Sequence, residues 1–241
     1  RFGSGEHIQL SHKTMTWLEK STKPKQAVFG GVGGGKAPEV TWEDGCACIG
    51  MLGEPNPHDT PDSARRRKAA KALCELLVWG DSQDTIVNKT MIEQHLASVM
   101  FVACQERKQG EPRGIGLSLK DLTGKMARMV LWHELYNMWS WHTVEGMLRY
   151  SGINQLSPKA YSMTWKPYQD VMLEELANMC KLIDFHVNQY RRELRDEVEE
   201  NFAQQGRPKW EPLKASTIAN RTKQGYWPGK ILQMHGHLAA S

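Results

Sequence analysis

Between positions 64 and 202 the apolar residues recur every three or four places, the spacing of one face of an α-helix. Ala69, Leu73, Leu76 and Leu77 share a stripe over 64–79. Ile92, Leu96, Val99, Met100 and Ala103 share one over 84–108, and Leu122, Met126, Met129, Val130 and Leu131 one over 118–137. Met172, Leu176, Met179, Ile183 and Val187 mark a long segment that reaches Phe202. Such a chain must bury these stripes against one another. The expected fold is mainly α-helical: a bundle-like region, then a C-terminal module of different grammar.

The punctuation sets the expected boundaries. Short helices are predicted over 13–20 and 143–150, the second stopped by Ser151-Gly152. Asp62-Ser63 reads as the N-cap of the helix at 64–79, and Ser118-Leu119-Lys120-Asp121 as the start of the one at 118–137. Ser157-Pro158 is a further start signal, a capping hydroxyl followed by proline in the first turn. The helix that begins there is expected to pause at Lys166-Pro167 and to end before Gly206 and Pro208. Positions 1–62, with five glycines within 30–35 and Pro55, Pro57 and Pro61, read as irregular apart from 13–20. The expected organisation is thus an irregular 1–62, a helical 63–180 and a C-terminal module over 181–241.

Composition excludes some classes. The chain has 241 residues and a net charge of +4, which permits nucleic-acid contact without demanding it. It contains no run of about 20 apolar residues, so no membrane span or membrane partner is expected. Its five cysteines are scattered and odd in number, and read as reduced thiols. It begins with Arg1 rather than Met, and we read it as a window of a longer sequence.

The enzyme-like motifs are incomplete. Positions 30–36 fit the first part of a phosphate-binding loop, but Ala37-Pro38 follows where a magnesium-binding hydroxyl and a helix should stand. A flexible glycine linker is the better reading. Cys46-Ala47-Cys48 has one residue between the thiols and no second pair, so no zinc site is expected. His133-Glu134 lacks the second histidine of a zinc-protease helix, because Asn137 stands there. We expect no enzyme and no cofactor.

Two features bear on DNA. Arg65-Arg66-Arg67-Lys68 opens the helix at 64–79, where cations oppose the helix dipole and an external phosphate would relieve them. A solvated helix start is the plainer reading. The stretch 143–168 has the outline of a helix-turn-helix whose second helix exposes Lys159, Tyr161, Ser162 and Lys166. Within 143–173, the string Tyr161-Ser162-Met163-Thr164-Trp165-Lys166-Pro167-Tyr168 is distantly similar to the C-terminal part of lambdoid phage Q antiterminators. That similarity implies a DNA-binding transcription regulator; the basic run and the helix-turn-helix outline give Arg65, Arg66, Arg67, Lys68, Lys159, Tyr161 and Lys166 as candidate contacts.

The C-terminal string carries the sharpest signal. Gly206 breaks the long helix, Pro208 and Pro212 stiffen its exit, and Trp210 and Leu213 can pack back as anchors. The string closely resembles the phage virion morphogenesis family, the tail-completion proteins of Mu-like and P2-like phages. Phe202, Gly206, Pro208, Trp210, Pro212, Leu213, Thr217, Ile231, Leu232, Gly236, Leu238 and Ser241 carry the resemblance. Family members continue into further strands, so 181–241 is read as the front half of an α+β module. The resemblance implies a structural task in tail completion or head–tail joining. Phage tail or connector proteins would be the partners, alongside copies of the chain itself. Trp210, Pro212 and Leu213 would be packing anchors, and Lys214, Arg221 and Lys223 exposed polar contacts. The expected location is the host bacterial cytoplasm, then the virion.

Overall fold

The computed structural model describes residues 6–22, 42–80, 85–112, 116–136 and 143–205. The described residues form helices and connections, with no strand among them. The chain divides into two compact units, 1–193 and 194–241.

In the first unit, α1 (His12–Thr22) and α2 (Trp42–Leu52) pack together and against α3 (Pro61–Trp79). α4 (Ile86–Glu106) packs between α3 and α5 (Leu119–Tyr136). The short α6 (Val144–Tyr150) leads to α7 (Pro158–Ala160), a π-helical turn (Tyr161–Trp165) and α8 (Lys166–Gln205). The described residues of the second unit are the end of α8.

The first part of α8 is the common wall of the first unit. Tyr168, Met172, Leu176, Met179, Ile183 and Val187 form its buried stripe. Its polar contacts run antiparallel to α4: Arg107 lies 5.1 Å from the Tyr168 ring and His95 reaches Glu175. Further along, Asp184 accepts the Ser11 N–H at the start of α1, and His186 Nε2 meets the Cys48 carbonyl of α2 at 2.8 Å. The predicted stripes of α5 and α8 are buried as expected, whereas Leu77 of α3 and Val99 of α4 are half-buried.

Three local expectations change. Residues 42–52, expected to be irregular, are helical, because the small residues there serve packing. A Cβ on Gly45 would stand 2.5 Å from the Ser21 carbonyl oxygen, so this glycine lets α2 approach α1. Cys48, Ile49 and Leu52 are buried on the same helix. The N-cap of α3 is Thr60, whose hydroxyl oxygen accepts the Ser63 N–H, with Pro61 at the first helical position. Pro61 is a start signal here and not a breaker, since a first-turn residue needs no N–H partner.

The expected pause at Lys166-Pro167 appears one turn earlier, as the π-helical turn. Pro167 has no N–H to donate, and its ring crowds the carbonyl four residues back, at Met163. Widening that turn accommodates both defects. Ser157 caps α7 as expected, its hydroxyl accepting the Ala160 N–H at 3.2 Å. The strand half expected beyond Gly206 lies outside the described residues.

Candidate functional site

The most concentrated polar geometry of the first unit is buried. Glu175 on α8 is 5% exposed and joins three helices. Arg66 of α3 donates through Nε to Oε1 at 2.6 Å and through Nη2 to Oε2 at 2.9 Å. His95 Nε2 of α4 lies 2.7 Å from Oε1. Burial opposes the charge of Glu175, but the hydrogen bonds from His95 and Arg66 outweigh it and hold the carboxyl below the usual glutamate range. An ionised carboxylate only accepts, so His95 Nε2 carries the hydrogen toward it. His95 Nδ1 is buried with no partner among the described residues. A group poised for acid–base work at neutral pH needs a raised carboxyl. Glu175 has the reverse, and its geometry is that of a clasp.

A second buried carboxylate, Glu134 of α5, receives the His7 backbone N–H at 3.0 Å. It ties the N-terminal segment to the helices. Glu175 and His95 were not singled out from the sequence, and Glu134 only as half of the incomplete zinc-protease motif. The available signal was an acid beside an apolar stripe, Glu175 next to Leu176 and Glu134 next to Leu135. A carboxylate in that position must find a partner.

The basic run of α3 is divided among different tasks. Arg66 turns to Glu175. Arg67 Nε lies 2.7 Å from Asp59 Oδ2, and Asp59, which also accepts the Asn56 N–H, is held below the usual carboxylate range. Arg65 and Lys68 are exposed, Arg65 with Asp62 at 3.4 Å.

The segment read as a recognition helix is α7, the π turn and the start of α8. Lys159, Ser162 and Lys166 are exposed on it. Tyr161 is not, contrary to expectation: it is buried, and its hydroxyl donates to Gln169. The same stripe that buries Trp165 and Tyr168 carries it inward.

Cys48, Cys74, Cys104 and Cys180 are buried and Cys46 is half-buried, all as free thiols. Among the described residues no group of three acids, histidines or cysteines is placed to hold a metal. The glycine-rich stretch 30–36 lies outside the described residues. So do Gly206, Pro208, Trp210, Pro212, Leu213, Lys214, Thr217, Arg221, Lys223, Ile231, Leu232, Gly236, Leu238 and Ser241. Phe202 lies on α8.

The described residues thus lead to the start of the C-terminal string along one continuous helix. Residues 166–241 match the family model of the phage virion morphogenesis family. The match bears out the resemblance drawn from Phe202 to Ser241. It also begins earlier than the expected module, at Lys166, the first residue of α8. The stripe of α8 that builds the first unit is therefore part of the matched segment. No curated protein and no solved structure matches the chain. No described helix is long and apolar enough to cross a membrane.

Proposed function

We propose that the protein works in phage morphogenesis, completing the tail or joining it to the head through protein–protein contacts. The carrying observation is the match of 166–241 to the phage virion morphogenesis family. In this reading the segment after Gly206 starts the α+β half of the module and contacts tail or connector proteins. Trp210, Pro212 and Leu213 are its packing anchors, and Lys214, Arg221 and Lys223 its polar contacts. Copies of the chain assemble with one another, first in the host cytoplasm and then in the virion. The role is structural, and binding rests on complementary shape and charge at a few anchors.

Addition of the purified chain to tails and heads made without it tests this reading. Joined particles are expected, with Trp210→Ala losing most of the joining. Heads and tails that join equally well without the chain contradict it.

Exposed Arg65, Lys68, Lys159 and Lys166 support a second reading, contact with DNA as in an antiterminator-like regulator. Its expected sign is a salt-dependent DNA mobility shift that Lys159→Ala and Lys166→Ala weaken. A chain that shifts no DNA at low salt rules it out.

A further inference from the structure

A groove of about 280 Å³ opens between α5 and α6. Its walls are Met129, Trp132, Met147 and Tyr150, and Arg128 and His133 also line it. Tyr150 is half exposed, and its ring lies 6.3 Å from that of Trp132. Thioether and aromatic walls of this kind adapt to bulky apolar side chains.

Among the described residues, cations outnumber carboxylates around the groove. Arg128 is 63% exposed and gives its Nε to Glu93 Oε2 at 3.3 Å. Glu93 Oε1 is taken by the Trp132 indole N–H at 3.0 Å. Both oxygens of that acid are thus engaged from the wall. Lys125 Nζ donates to the Gly152 carbonyl at 2.7 Å at one end of the groove, and Lys89 Nζ stands 5.8 Å from the Trp132 ring. Three cations and the Glu93 carboxylate thus stand around the groove, and among the described residues no carboxylate lines it.

We infer that this groove docks an acidic segment of a partner protein, one with a bulky apolar side chain beside a carboxylate. The side chain enters between Trp132, Met147 and Tyr150. The carboxylate meets the Nη groups of Arg128, which suit a planar two-point contact. A single-stranded nucleic acid would also find aromatic rings here, but it needs a track of cations along its backbone. One exposed guanidinium at a methionine-walled groove fits a peptide better. Every described lining residue precedes position 166, so the inference stands apart from the family match.

The test uses the full chain and a fluorescein-labelled peptide, Asp-Glu-Trp-Asp-Glu, followed by anisotropy. Saturable binding is expected, with Arg128→Gln and Tyr150→Ala each weakening it about tenfold, equivalent to about 1.4 kcal/mol. Both side chains are at least half exposed, and an unchanged thermal melt shows that the variants fold. A Lys-Lys-Trp-Lys-Lys peptide is expected to bind at least about tenfold more weakly. No binding, equal binding of the two peptides, or affinity indifferent to both substitutions overturns the inference. So does an oligothymidine that binds more tightly than the acidic peptide and is weakened by the same substitutions.

Discussion

Arg66 and Glu175 lie 109 positions apart and meet as a two-point ion pair, Nε to Oε1 at 2.6 Å and Nη2 to Oε2 at 2.9 Å. The pair fixes the start of α3 against the first part of α8, and His95 locks α4 to the same carboxylate at 2.7 Å. Three helices distant in sequence share one buried carboxylate.

Replacing Glu175 by Gln is expected to destabilise the first unit by about 2–3 kcal/mol, below the full value of a buried pair because Arg66 stays 44% exposed. The carboxyl sits lower in the folded chain than the ordinary glutamate value. Its contribution is therefore complete above that value and disappears as pH falls through the folded one. Urea denaturation from pH 7 down to pH 3 checks this. The gap between parent and variant should shrink as acid is added, and a gap independent of pH contradicts the assignment.

Gly45 and Gly50 lie on one helix and should respond in opposite directions. Gly45→Ala drives a Cβ to 2.5 Å from the Ser21 carbonyl oxygen and should cost about 1–3 kcal/mol. Gly50→Ala meets nothing within 4 Å and should stabilise by about 0.5–1 kcal/mol, because alanine loses less backbone freedom in a helix. Thermal melts of the two variants decide the matter. Equal effects would mean that α1 and α2 are not in close contact.

These positions also show what the sequence makes legible. Periodicity alone located the stripes of α5 and α8, because apolar spacing reports a buried face directly. It missed α2, where Gly45 and the cysteines at 46 and 48 look like loop composition unless the partner helix is known. It placed Tyr161 outside, because one face of a helix cannot be assigned inward without knowing what packs on it. The Glu175 clasp was invisible for the same reason: its partners stand at positions 66 and 95. The C-terminal string was legible because its glycine, prolines and tryptophan stand in a fixed order, and the family match begins further upstream only because α8 itself belongs to it.

The thiols should separate into one accessible group and four protected ones. Burial and Glu193 push Cys48 up to about 12, and burial pushes Cys180 to about 12 and Cys104 to about 11. Cys74 is raised further by burial and its neighbours. Cys46, half-buried and raised by burial and Glu43, is the most open. A thiol-exchange reagent at pH 8 should show one fast phase, abolished by Cys46→Ser, with the others reacting only on unfolding. Several fast phases in the folded protein contradict this packing.

The central claim is a role in building the virion. Its most direct measurement is an electron-microscopic count of particles from a phage that encodes the chain, with and without its gene. The account predicts that deletion leaves unfinished tails and unjoined heads, and that supplying the intact chain restores complete particles. Tailed, infectious particles in normal number after deletion would contradict it.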